Sequence, residues 1–187
     1  SLCRLPMALG FCFALAAGTG VRAEDIPAPE LPAPVGEVEL VRAGSLPEQT
    51  QLDVGIVIFD PGIPEDESSH SKLGIFPEIR KSEAQIVTVI LRQVLVNSGA
   101  WGVVRVLPEA MESSEVSISG RILHSDGLTL VLHIKAHDAT GRPWLDRIYV
   151  DETVEGDYPV TPGTDPYIDL YHQVANDLLA ARRRLDD

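Results

Sequence analysis

The side chains best able to hold a metal ion or move a proton are scattered along this sequence, and their spacing decides what they can do together. Of five histidines, three, His124, His133 and His137, fall within VSISGRILHSDGLTLVLHIKAHDATGRPWLDRIYVDETV, so imidazole coordination is the first chemistry to weigh. Strand-like patterning broken by Ser125-Asp126-Gly127 and Ala139-Thr140-Gly141 makes this stretch a meander. A two-residue loop of Asp126 and Gly127 sets His124 opposite Thr129. His133 then lies four residues further along the partner strand, roughly 13 Å away. His133 and His137 share a strand face at a similar separation, so no metal site is expected. His70 and His172 stand alone and read as surface residues rather than bases.

Nucleophilic and acid–base chemistry find no better footing. The tetrapeptide HSDG brings His124, Ser125 and Asp126 together in sequence, but consecutive residues of a tight turn splay apart and cannot align as base, nucleophile and orienting acid. Glu65, Asp66 and Glu67 could share a calcium ion, yet IPEDESSHSKLG lacks the alternating oxygen ligands and glycine of a calcium loop and reads as a solvated polar loop. The sequence holds no phosphate-binding glycine loop, no G-x-S-x-G elbow and no paired histidines on a helix. No catalytic residue and no cofactor are expected. Trp101, Trp144 and Tyr149 could line a small-molecule or glycan site, but they fall in or beside strands, where aromatic rings pack into a core.

Charge and export signals bound the class of partner. The 187 residues carry 15 basic and 28 acidic side chains, a net charge of −13, and the length suits one folded domain. Arg4 precedes the apolar stretch LPMALGFCFALAAG, which is too short for an ordinary membrane span, and Val21-Arg22-Ala23 places small residues where a signal peptidase cuts. Residues 1–23 are therefore expected to be a secretory signal removed after Ala23, sending the protein to the periplasm or beyond. Removal takes Arg4 and Arg22 but no acid, leaving a net −15. It also takes Cys3 and Cys12, and with them disulfides, thiol nucleophiles and cysteine zinc sites. Phe11 ahead of Cys12 puts a bulky ring where lipid attachment wants a small side chain, so a lipoprotein is not expected. An acidic surface repels phosphate backbones and anionic headgroups, which argues against nucleic acid and membrane-surface partners. The chain opens on Ser1, and its last helix reaches Asp187 without a glycine stop, so the natural protein is expected to extend further.

The elements that would position a site follow from periodicity. Residues 24–49, rich in proline, alanine and acids, read as an extended, semi-rigid spacer, and 50–187 as one α/β domain. Val54, Ile56, Val57, Ile58 and Phe59 form a buried strand ended by Asp60-Pro61-Gly62. Ser82 with Gln85 makes a capping box for a helix through AQIVTVILRQVLVNSG. Its inward stripe is Ala84, Val87, Ile90, Leu91, Val94 and Leu95, widened by Ile86 and Val89, with Arg92 and Gln93 outside. Val103, Val104 and Val106 make a second strand. Asp165 and Pro166 open the closing helix, which turns Ile168, Tyr171, Val174, Ala175, Leu178 and Leu179 inward.

One stretch combines an aromatic with alternating charge ahead of the first helix: FPEIRKSEAQ. Arg80 and Lys81 are placed just before the helix start, free to meet acids of the preceding loop. Phe76 is either a staple at the helix entrance or an exposed anchor for a partner, with Glu78, Arg80 and Lys81 orienting that partner.

The order VGIVIFD strand, long helix, WGVVRVLP strand, hairpin and closing helix DPYIDLYHQVANDL resembles the amino-terminal domain of TolB and the related CsgG and LpoB-type envelope proteins, over about residues 50 to 184. FPEIRKSEA, SGAWGVVRVLP and ILHSDG resemble a family of secreted proteobacterial proteins of unassigned activity. The resemblance implies a mixed sheet of four to five strands with two long helices packed on it. It also implies a non-catalytic role in docking to an envelope protein or in envelope assembly. No functional residue carries over from it. The rival readings are the amino-terminal domain of a longer secreted enzyme and a small-molecule or glycan-binding module.

Overall fold

The computed structural model describes residues 31–44, 47, 50–109, 114–153 and 165–186. The expected signal, its cleavage point and the leader up to residue 30 lie outside them. Five strands form one mixed sheet in the order β2-β1-β3-β4-β5. β1 (Val54–Val57) runs parallel to both β2 (Val104–Leu107) and β3 (Val116–Ser125). β4 (Thr129–Asp138) and β5 (Pro143–Glu152) complete the sheet as an antiparallel meander. A short α1 (Glu67–His70) and the long α2 (Pro77–Ser98) connect β1 to β2, and α3 (Ile168–Asp186) closes the chain. α2 packs on β1 and β2, α3 packs on β5, and the two helices touch. The α/β architecture and the two long helices agree with the reading of the sequence.

The core lies between the helices and one face of the sheet. Ile56, Leu91, Ile122, Leu132, Ile134 and Leu178 are wholly buried there. Phe59 joins them by lying over Gly120, where an added Cβ would sit 2.4 Å from the ring, so the bare backbone of β3 is what admits the aromatic. Thr88 locks this corner: its hydroxyl donates to the Ala84 carbonyl at 2.7 Å and accepts the Phe59 N–H at 3.1 Å.

Four local expectations are corrected. α2 starts five residues ahead of the proposed capping box, with Phe76 at the N-cap and Pro77 in the first turn. Pro77 has no amide proton to leave unsatisfied, and its fixed φ suits the first helical position. Ser82 instead donates to the Glu78 carbonyl one turn back at 3.0 Å, and the far end closes on Gly99 with φ 65°. The loop around Glu65, Asp66 and Glu67 contains α1, capped by Asp66, whose carboxylate accepts the Ser68 N–H at 3.0 Å. The β3–β4 connection is Asp126 to Leu128 with a bulge near Leu123, so His124 faces Val131 rather than Thr129. Ile86 and Val89, assigned to the inward stripe, are 57% and 54% exposed.

The leader is also not a free spacer. Residues 31–44 have no regular secondary structure, yet Val35, Leu40 and Ala43 pack against the core. α3 reads their backbone from its polar side. Asp169 accepts the Val38 N–H at 2.9 Å, His172 donates to the Val38 carbonyl at 2.7 Å, and Asn176 accepts from Val41 and donates to Glu39. The Val35 N–H reaches the Val150 carbonyl of β5, and the Ala43 N–H reaches Ser98 at the end of α2. His172 is therefore a strap ligand, not an isolated surface residue. Replacing Asn176 with alanine removes two of these bonds and is expected to cost about 1 kcal/mol. Hydrogen exchange at the Val41 amide should accelerate while amides of β3 and β4 keep their protection.

Candidate functional site

The start of α2 is where sequence and structure converge. Phe76 is 66% exposed. It occupies the N-cap rather than the position before it, so it does not staple the helix entrance. Leu73 and Ile79 are exposed beside it in the chain. Lys81 pairs with Glu78 at 2.8 Å on the solvent side, inside the helix rather than ahead of it.

Arg80 departs from this surface. It is 5% exposed, its Nε pairs with Glu83 at 3.1 Å and its Nη2 donates to the Ser125 carbonyl at 2.9 Å. Ser125 Oγ donates back to Glu83 at 3.2 Å. A buried guanidinium needs such acceptors to offset lost hydration. The residue placed on the docking face thus pins the β3–β4 turn to α2. The exposed Leu123 and Leu128 flank that turn.

From this end the outward side of α2 stays apolar. Ile79, Ile86 and Val89 follow one another at helical spacing, leading to a groove of about 420 Å³ between α2 and the start of α3. Val89, Ile90, Val94 and Ile168 supply its aliphatic walls, and Gln93, Asn97 and Asp165 its polar rim. Sequence reasoning missed the groove because it assigned Val89 and Ile90 to the core.

The residues tested for chemistry are otherwise engaged. His124 meets Asp126 at 3.2 Å, and Asp126 takes the Thr129 and Leu128 N–H groups, which hold its carboxyl down to about 2. Ser125, bonded to Glu83, is not offered to His124. The bulge brings His133 within two residues of the partner of His124, roughly 7 Å along the strand. Even so, His133 engages Asp146 at 2.6 Å and His137 the Asp138 carbonyl. His70 is tied to the Pro64 carbonyl at 2.7 Å. Among the described residues, no group of three or more His, Cys, Asp or Glu side chains is arranged to hold a metal. Trp101 is buried, its ring centroid 6.3 Å from that of Trp144, with the Arg182 guanidinium 5.6 Å over it. Tyr149 is buried and donates to Asp177 at 2.8 Å. These three aromatics form no open platform for a sugar ring.

Asp151 is the unusual acid. It is buried at the start of α3, where burial, opposed by bonds from the Glu152 and Leu170 N–H groups, pushes its carboxyl up to about 6. Asp169 and Asp165 add to the rise, and burial raises Asp165 as well.

No family model matches the chain, and no curated protein matches it in sequence. Among solved structures it is similar to a chain of the PelC dodecamer from Paraburkholderia phytofirmans, with 12% sequence identity, 77% of this chain and 95% of that chain covered, and a TM-score of 0.43. A likeness at that level bears on neither activity nor assembly.

Two outcomes follow from the charges. Because the folded state holds the Asp151 proton more tightly than the unfolded chain, this group stabilises most below about pH 4 and loses that contribution as pH rises through about 6. Melting temperatures between those values should fall more steeply for the native protein than for Asp151→Asn, which cannot ionise. In urea denaturation Arg80→Ala should cost about 1 to 3 kcal/mol, whereas Phe76→Ala should stay within about 0.5 kcal/mol.

Proposed function

We propose that the protein is a non-catalytic docking domain of the cell envelope, exported to the periplasm, that binds another envelope protein through the start of α2. The observation that carries this reading is the run of exposed large apolar side chains at the start of α2, Leu73, Phe76 and Ile79, with the exposed Leu128 in the turn that Arg80 holds. Contiguous apolar surface in water is unfavourable and marks a place where another surface is expected. An aromatic anchor beside aliphatic neighbours is the usual energetic centre of such contacts.

Export rests on the signal-like residues 1–23, and the envelope setting on the resemblance to TolB, CsgG and LpoB-type domains. Glu78 and Lys81 stay solvent-facing, where they would orient a partner without carrying much of the affinity. The mature acidity suits this role, since it keeps the domain away from anionic lipid and nucleic acid. The buried aromatics disfavour the glycan-binding reading.

A photo-crosslinking residue placed at Phe76 or Ile79 in the native cell should capture one periplasmic protein reproducibly. The same residue at Lys135, on the opposite sheet face, should not. Phe76→Ala should lower that capture about tenfold with no change in melting temperature. Equal capture from both faces, or capture that survives both Phe76→Ala and Ile79→Ser, would overturn the assignment.

A further inference from the structure

The proposed docking surface does not stop at Phe76. Ile79, Ile86, Ile90, Gln93 and Asn97 recur along one side of α2, a line of roughly 27 Å from first to last. Its far half is the groove beside Ile168. A straight, mostly aliphatic line of this length, ending in a groove lined by α2 and the start of α3 with no strand residue in its walls, matches the apolar side of a helix better than an added strand.

Charge gives the line a direction. Asp165 stands on the rim of the groove, and Asp151 and Asp169 lie close to it at the start of α3. Among the described residues none of the three has a cationic side chain within ion-pair distance. Their existing bonds come from backbone N–H groups: Tyr167 to Asp165, Leu170 and Glu152 to Asp151, and Val38 to Asp169. Burial already disfavours the charged form of Asp165, so a cation placed at the rim gains more than it would at an open surface. The other end of the line has its acid, Glu78, neutralised by Lys81.

We infer that the partner contributes an amphipathic helix, its aliphatic side laid along Ile79, Ile86, Val89 and Ile90 and a lysine or arginine near one end set against Asp165. This rests on the docking reading above and adds the chemistry of the partner. The helix would exchange solvent for the walls of the groove, and its terminal cation would supply the counter-charge that the start of α3 lacks. An acidic helix would meet repulsion at the same rim.

The test uses the full chain, isotope-labelled, with two synthetic 18-residue helical peptides as probes. Both carry leucine along one side, and one carries lysine where the other carries glutamate. At about 150 mM salt, where long-range attraction is screened, the lysine peptide should bind about tenfold tighter than the glutamate peptide. Its chemical-shift changes should trace residues 79 to 97 of α2 and Ile168. Asp165→Asn, which keeps an acceptor for the Tyr167 N–H, should weaken the lysine peptide roughly threefold or more, and Val89→Ser should weaken both peptides. Shifts centred on the opposite sheet face, or equal affinity for Asp165→Asn and the native protein, would overturn the inference. If that happens while crosslinking at Phe76 to a native protein persists, the helical partner falls and docking stands; loss of both removes the docking reading too.

Discussion

Parallel pairing on both sides of β1 is the constraint from which the remaining structure follows. A strand with parallel neighbours cannot reach either by a hairpin, so the chain must leave the sheet after β1 and return beside it. α2 is that crossover. β1 is only four residues long, and its ladder bonds are correspondingly few. Its register is reinforced from the ends. Asp53 accepts the Val103 N–H on its carboxylate, gives its own N–H to Glu115 and receives the Val116 N–H on its carbonyl. At the other end Thr88 holds the Phe59 N–H, and the Asp60 backbone exchanges bonds with Gly120 and Ile122 of β3. With both ends fixed, the side of α2 that meets the sheet is fixed as well.

That fixed side explains why the apolar content of α2 exceeds what the core can use. The buried stripe of Ala84, Val87, Leu91, Val94 and Leu95 already covers β1 and β2. Ile79, Ile86 and Val89 cannot join it without rotating the helix and breaking the Thr88 lock. Burying one such side chain is worth about 1.5 to 3 kcal/mol, a gain that these three forgo in the isolated domain. Apolar character showed which residues want burial, but not how much surface the sheet could offer them.

Strands, long helices and turns were legible because each rests on local periodicity and punctuation: Asp60-Pro61-Gly62 after β1, Asn97-Ser98-Gly99 at the end of α2, Asp165-Pro166 before α3. What escaped depended on partners far away in the chain. Arg80 looked like a surface charge because its acceptor, Ser125, is 45 residues distant. The strap looked like a spacer because its hydrogen-bonding partners lie more than 130 residues on. His124 took a different register because a bulge is invisible to alternation. The sequence allows Phe76 either role, staple or anchor, and its exposure at the N-cap separates the two.

The strap also bears on why the proposed docking surface is placed on α2 rather than on α3, although both helices cover the same sheet face. Asp169, His172 and Asn176 gave α3 a polar outer side, and that side is spent on the backbone of residues 38–41. A partner approaching there would have to displace an extended segment bonded to α3 through Val38, Glu39 and Val41, whose Val35, Leu40 and Ala43 are tucked against the core. The outer side of α2 offers the reverse: aliphatic surface with little polar hydration to lose and no described segment fastened along it. The chain thus covers one helix with its own leader and leaves the other available, and the groove where the two meet is where a partner could gain from both.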